Sequence, residues 1–125
     1  MVQPVSREQG SGARAAFETL VMEEYRVSPL AVLALSPPAV VEYVAAHPAS
    51  IGYVSMDFVT PEVKVLRIEG ELPTRESAGR ASYPLTRDLW LVTEDPPSEA
   101  VQSFFDFSLG PAGQEVVGQR LGRVR

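Results

Sequence analysis

The sequence predicts an α/β domain, because apolar segments of strand type and of helix type alternate along its 125 residues. The chain is 45% hydrophobic, which is enough apolar material for a folded core. Only 22% of its residues are charged, too few for a chain that is disordered by composition. The length is that of one ordinary domain.

The first strand is predicted at residues 2–7, where Pro4 permits only an edge strand or the first position of a strand. A helix is predicted at residues 11–25, because Ser11 is a good cap and Phe17 begins an apolar pattern with helical spacing. The chain therefore opens with a strand followed directly by a helix.

The middle of the chain is predicted to contain one helix and one strand. Residues 27–35 are interpreted as irregular or as a short helical turn. Ser36 and two prolines begin a second helix, which ends at His47, since serine caps helices and proline fits their first turn. Residues 51–55 are short, apolar and β-branched or aromatic, which predicts a buried strand.

The second half of the chain continues the alternation. The predicted elements are a strand at residues 63–68, a short helix capped by Thr74 or else a loop at 74–80, a long buried strand at 85–93, a helix after Pro96-Pro97-Ser98, a last helix that begins at Pro111, and a loose tail at 122–125. Trp90 lies in the middle of the long strand, where we expect a core position rather than a ligand platform.

Composition excludes several kinds of site. Cysteine is absent, so there is no disulfide, no thiol nucleophile and no cysteine zinc site. His47 is the one histidine, which leaves no histidine-rich metal site, and we expect neither a metal nor a cofactor. The net charge of −5 argues against nucleic acid. No apolar run is long enough to span a membrane, so no membrane insertion is expected.

No group of side chains forms a convincing catalytic set. The neighbouring carboxylates are interpreted as solvated surface groups; they are Glu23 with Glu24, Glu94 with Asp95, and Asp106. Ser11 has no plausible base, since His47 stands before a proline at a helix end. We therefore predict no enzyme and no catalytic residue. Three arginines form either a second anion patch or scattered surface charge; they are Arg75, Arg80 and Arg87.

The start of the first helix suits an anion. The first N–H groups of a helix lack internal partners, and the helix dipole adds positive charge there. Gly12 and Ala13 are small and leave their amides open, Ser11 adds a hydroxyl, and Arg7 can bring a guanidinium fork to the same oxyanion. The alternative is an ordinary serine cap beside a surface arginine.

Four motifs in order resemble the phosphate-binding proteins of ABC transporters. They are Arg7 followed by Ser11-Gly12, the strand Ile51-Gly52-Tyr53-Val54, the segment from Pro73-Thr74 to Tyr83-Pro84-Leu85-Thr86-Arg87, and the helix pair around Phe104 to Gln114. Together they cover nearly the whole chain.

The resemblance implies a type II periplasmic-binding-protein-like fold, of which this chain corresponds to the C-terminal half. Residues 1–82 would form the second lobe, and residues 83–125 the return strand and closing helices of the first lobe. It implies phosphate-contacting roles for Arg7, Ser11, Gly12 and Ala13, although Ala13 stands where the family usually has threonine.

The resemblance also implies function, partners and location. It implies weak binding of phosphate or a similar oxyanion, an ABC permease as partner, and a periplasmic or cell-surface location. The N-terminal residues 1–6 themselves have neither the charged start nor the apolar core of a signal peptide. The alternative is a stand-alone interaction module without ligand binding, a homodimer in which residues 83–125 are exchanged between protomers.

Overall fold

A computed structural model describes residues 1–124; Arg125, which belongs to the predicted tail, lies outside the described residues. The elements are β1 (Gln3–Arg7), α1 (Gly12–Phe17), a π-helical turn (Glu18–Met22), β2 (Val32–Ala34), α2 (Pro37–Ala46), β3 (Ser50–Gly52), a 3-10 turn (Met56–Phe58), α3 (Arg75–Gly79), α4 (Glu99–Leu109) and α5 (Pro111–Val117). The α/β class is confirmed.

The chain divides into two compact units, Met1–Leu66 and Arg67–Arg125. The predicted division after residue 82 refers to the lobes of a longer fold and stays a prediction. Among residues 1–124, no helix is both long enough and apolar enough to cross a membrane.

The first unit is built on a three-stranded parallel sheet in the order β2-β1-β3. The prediction that Pro4 permits only an edge strand or the first position of a strand is wrong, because β1 is the central strand and Pro4 is its second residue. N–H groups alternate sides along a strand, and the Gln3 N–H donates towards β3, to Ala49 O over 2.8 Å. Pro4 therefore lacks an N–H on the side that faces β2, and the pairing of β1 with β2 begins only at the next residue, Val5.

The first helix begins as predicted and ends early. Ser11 is its cap, and its Oγ accepts from the Arg14 N–H. After Phe17 the helix widens into the π-helical turn, and Glu23 ends it with φ 52. The prediction of a helix to residue 25 is wrong because this left-handed backbone cannot continue a right-handed helix.

The next elements agree in part with the prediction. The interpretation of residues 27–35 as irregular missed β2, which has three residues and pairs with β1. Helix α2 begins after its cap Ser36 and ends before His47, as predicted. The predicted strand at residues 51–55 is β3, displaced to Ser50–Gly52, and Ile51 is exposed rather than buried.

The core of the first unit lies between the sheet and α2. Val5 of β1, Ala34 of β2 and Val40 of α2 are buried together, and partly buried side chains pack around them. Two of these three core residues come from the strand pair β1 and β2, so packing against α2 holds β1 at Val5, two residues before Arg7.

Both strands predicted for the second half of the chain are absent. In place of a strand at 63–68, Ile68 and Glu71 form a single antiparallel bridge around Glu69 and Gly70, whose φ angles are 51 and 84. Residues 85–93 form no strand, and Trp90, expected in the core, is 81% exposed. A strand needs a neighbouring strand for its backbone groups, and none pairs with this segment among residues 1–124.

The helices of the second unit agree with the predictions. Thr74 caps α3 in a capping box with Ser77, so the helical alternative is confirmed. Ser98 caps α4, and Pro111 begins α5. The predicted loose tail is tied at residue 124, because the Val124 N–H donates to the buried Gln114 side chain over 2.8 Å.

Candidate functional site

The predicted anion site lies at the carboxyl end of the central strand. β1 ends at Arg7. Its neighbours in the sheet, β2 and β3, lie on opposite sides of it, and both follow it in the chain. A strand flanked in this way marks the topological switch point of an open α/β sheet, where ligands bind beyond the carboxyl ends. The fold therefore brings the sequence-predicted residues to the edge of the sheet that is best suited to a ligand.

The start of α1 keeps its donors available. Ser11 is buried, and its Oγ accepts from the Arg14 N–H over 3.3 Å. A hydroxyl that accepts in this way still has its own hydrogen to donate. No hydrogen bond within residues 1–124 uses the N–H of Gly12 or Ala13. Three donors thus lie on consecutive residues of one helix start.

Arg7 is engaged by a neighbour that sequence reasoning did not consider. Its Nε and Nη2 donate to the two carboxylate oxygens of Glu8 over 2.8 and 2.9 Å. This bidentate hydrogen bond raises the pKa of Arg7 above its usual value and lowers the pKa of Glu8. The guanidinium is thus held by an intramolecular anion, and an external oxyanion must use its remaining N–H groups or displace Glu8.

A second side chain missed by the sequence analysis is Tyr53, which holds the backbone of the site. Its hydroxyl accepts from the Arg7 N–H over 3.2 Å and lies 2.8 Å from the hydroxyl of the buried Ser6. Its ring stacks on Phe17 of α1 with centroids 4.2 Å apart. Tyr53 lies within the strand predicted at residues 51–55 and within the motif Ile51 to Val54, but neither signal indicated this role.

Arg14 completes the frame around the helix start. Its Nη1 donates to the Arg7 carbonyl over 3.0 Å, and its Nε donates to Glu18 over 2.9 Å. The carbonyl that ends β1 is therefore joined to α1, which fixes the loop between them.

The remaining candidates lie elsewhere. His47 stacks on Tyr43, with Nδ1 2.8 Å from the Tyr43 carbonyl oxygen, in a helix-end position of the first unit. Within residues 1–124 no three acidic or histidine side chains come together as a metal site. Arg75 and Arg80 of the predicted second patch line one cavity of the second unit, and Arg87 does not.

The family described as a PBP superfamily domain matches residues 1–112. The phosphate-binding protein PstS 2 of Streptococcus agalactiae is 35% identical over 123 residues, which cover 90% of this chain and 42% of that protein. The chain thus spans less than half the length of this relative.

Solved structures show the same likeness. A phosphate-binding protein of a phosphate ABC transporter from Streptococcus pneumoniae superposes with a TM-score of 0.82 at 30% identity, covering 94% of this chain and 49% of that one. A putative phosphate ABC transporter substrate-binding protein from Clostridium perfringens, solved with bound phosphate, superposes with a TM-score of 0.81 at 27% identity. The match covers 99% of this chain and 52% of that one.

These matches agree with the α/β class, the parallel sheet and the order of motifs. The fold is that of phosphate-binding proteins, and the chain covers about half of the two solved structures. With the family matched over residues 1–112, the chain belongs to the PBP superfamily domain family.

Proposed function

We propose that this chain carries one half of an oxyanion site and that its ligand is inorganic phosphate. The observation that carries the proposal is the position of Arg7 at the end of the central parallel strand, followed at once by the helix start at Ser11. Ser11 would donate its hydroxyl hydrogen, Gly12 and Ala13 their N–H groups, and Arg7 the part of its guanidinium that Glu8 leaves open.

The relatives support phosphate as the ligand. The Streptococcus proteins are named phosphate-binding proteins, and the Clostridium perfringens structure holds bound phosphate. The chemistry agrees, because consecutive amides at a helix start and an arginine fork are the donors that phosphate oxygens accept from in proteins.

We expect binding by this chain to be weak. It spans about half of the solved relatives, so donors from the rest of such a fold would be absent, and a half site open to water acts at high dielectric. Ala13 also supplies no hydroxyl where the family usually has threonine. A lost hydrogen bond to a charged group weakens binding by about 1.5 to 3 kcal/mol.

The same resemblance supports a place in phosphate import. The chain would act as a binding component without catalysis, outside the cytoplasmic membrane and beside an ABC permease. Its acidic net charge of −5 does not oppose anion binding, because aimed donors act at contact distance while diffuse surface charge is screened over about 10 Å.

Isothermal titration of the 125-residue chain with inorganic phosphate tests the proposal. We expect weak binding that Arg7→Ala and Ser11→Ala abolish. Arg26→Ala is the matched control, since it removes one exposed arginine that forms no ion pair within residues 1–124. Equal loss in the control would contradict the site, and submicromolar binding would contradict the half-site argument.

A second candidate function, a homodimerising interaction module, is favoured by one specific observation. Leu89, Trp90, Leu91 and Val92 form a continuous exposed apolar segment that has strand character and no strand partner within residues 1–124. Pairing with the same segment, or with another element of a second copy, would satisfy its backbone and cover its side chains.

Light scattering of the chain at tens of micromolar tests this candidate. A dimer is expected, and Trp90→Glu should convert it to monomer by placing a charge in the contact. Leu30→Glu is the matched control, because Leu30 is also an exposed apolar residue and lies in the first unit. A compact monomer for the unsubstituted chain would overturn the candidate.

A further inference from the structure

The second unit contains a cavity whose walls are basic. Its volume is about 300 Å³, and it lies among α3, the end of α5 and the tail. The charged residues of its lining are Arg75, Arg80, Arg123 and Glu76. The lining thus carries two positive charges in excess, in a chain whose net charge is −5.

Within residues 1–124, two of the three arginines form no ion pair. Arg80 donates to Glu76 over 2.7 Å along α3. Arg75 and Arg123 form no ion pair within residues 1–124. Two guanidinium groups at one cavity, neither of them in an ion pair within residues 1–124, are suited to a ligand with two anionic groups. Each planar fork can hold a carboxylate or a phosphoryl group with two hydrogen bonds.

Glycines make room for Arg123 at this cavity. A Cβ on Gly118 would overlap Arg123 Nε and lie 3.0 Å from Cζ, so the guanidinium lies directly against the α5 end. A Cβ on Gly79 would lie 3.2 Å from the Arg123 carbonyl oxygen, so the tail backbone runs close along α3. The Val124 N–H, bonded to Gln114, anchors the tail just beyond.

We propose that this cavity binds a small dianion, either a compound with two phosphoryl groups or a dicarboxylate, through Arg75 and Arg123. The cavity is open to solvent, and its volume lies at the lower end of the range for small-molecule sites. The site is independent of the helix start at Ser11, since all its residues belong to the unit Arg67–Arg125.

Titration of the 15N-labelled full chain with pyrophosphate, and separately with succinate, tests the proposal at constant ionic strength. The readout is the shift of the Gly79, Gly118 and Gly122 amides in two-dimensional NMR spectra. We expect saturable shifts with at least one of the two probes, and the stronger probe identifies the ligand class. Shifts that rise linearly with both probes, without saturation, would overturn the proposal.

Substitutions locate the binding. Arg123→Ala should weaken it about tenfold or more, the loss expected for a charged hydrogen-bonding partner. Gly118→Ala should weaken it similarly while removing no charge, because the new methyl group displaces the flexible guanidinium. Arg120→Ala, which removes an exposed arginine outside the cavity, should have no effect.

The same titration in Arg7→Ala separates the two sites. Binding at the cavity should be unchanged in this variant even if the chain does not bind phosphate at the helix start. Loss of the glycine shifts in Arg7→Ala, or equal weakening in Arg120→Ala and Arg123→Ala, would overturn the assignment.

Discussion

At the scale of single residues, Tyr53 determines how the carboxyl end of β1 is held. One hydroxyl satisfies two groups of β1, the Arg7 N–H and the Ser6 hydroxyl. Ser6 is 1% exposed, and its other hydrogen-bond contact within residues 1–124 is a long one of 3.4 Å to the Arg7 carbonyl. Because a buried hydroxyl without a good partner is costly, Tyr53 contributes to stability as well as to site geometry.

We therefore expect Tyr53→Phe to lower the free energy of unfolding by about 1 to 3 kcal/mol, the penalty for leaving buried polar groups unpaired. The ring and its stacking on Phe17 remain in the variant, so the change reports the hydroxyl alone. Urea denaturation measures the effect. Tyr25→Phe is the control, since Tyr25 is exposed; a similar loss there would contradict the role of the buried contacts.

The ion pair of Arg7 and Glu8 predicts a pH dependence of stability. Hydrogen bonds from Arg7 hold the pKa of Glu8 below its usual value of 4.5. A carboxylate with a lowered folded-state pKa stabilises the protein above its unfolded-state pKa, and this stabilisation disappears as the pH falls through the folded-state value. The effect belongs to acid conditions, below about pH 5.

Glu8→Gln should accordingly flatten the decline of stability between about pH 5 and pH 2, which urea denaturation at a series of pH values measures. At neutral pH the same variant should bind phosphate more tightly, because it frees both donors of Arg7 that Glu8 now occupies. Glu42→Gln, on exposed helix surface and without an ion pair within residues 1–124, is the control. An identical acid profile in Glu8→Gln and the parent chain would contradict the prediction.

At the scale of elements, local signals predicted helix starts better than strands. Ser36 and Ser98 cap the helices predicted from them, and Thr74 caps the helix that was one of two alternatives there, because a cap is read from a few neighbouring residues. A strand depends on partners far away in the chain. The apolar segment around Trp90 lacks such a partner here, whereas the short β2 was missed and forms because β1 lies beside it.

In the candidate site, too, local features were predicted from the sequence and contacts between distant residues were not. The residues of the helix start were predicted from one short motif, and the structure gives their amides no other partner within residues 1–124. Tyr53 reaches Ser6 across 47 positions of sequence, a contact that no local pattern indicates. Glu8 is adjacent to Arg7 in the sequence, so their ion pair is a local contact. The sequence did not show which acceptor the Arg7 guanidinium takes, because Glu8 and an external anion both suit it.

The packing of α2 on β3 gives a prediction at this scale. A Cβ on Gly52 would lie 2.9 Å from Val40 Cγ1 and 3.4 Å from Val5 Cβ, so the helix approaches the strand as closely as glycine allows. Gly52→Ala should destabilise the protein by about 1 to 3 kcal/mol through overpacking. Combined with Val40→Ala it should cost less than the sum of the two single changes, as a double-mutant cycle in urea measures. Simple additivity would contradict the contact.

At the scale of the whole molecule, buried apolar surface is scarce. Among residues 1–124 the buried hydrophobic side chains are Val5, Ala34, Val40 and Val41, all in the unit Met1–Leu66. In the other unit Phe104, Phe107 and the segment around Trp90 are exposed. Exposed apolar surface of this kind is typical of interaction sites. The chain covers 49% and 52% of the two solved relatives, and we propose that in a fold of that length other residues cover these side chains.

A chain that covers this surface by self-association must gain stability with concentration, because binding that favours the folded state shifts the unfolding equilibrium by mass action. We expect the thermal midpoint, followed by circular dichroism, to rise when the protein concentration is raised a hundredfold. The added free energy of unfolding is about 2.7 kcal/mol at most. In Trp90→Glu the midpoint should be independent of concentration, whereas Leu30→Glu should keep the dependence. If the midpoint of the unsubstituted chain does not change with concentration, the exposed segment is tolerated in the monomer. That result would contradict dimerisation through this segment.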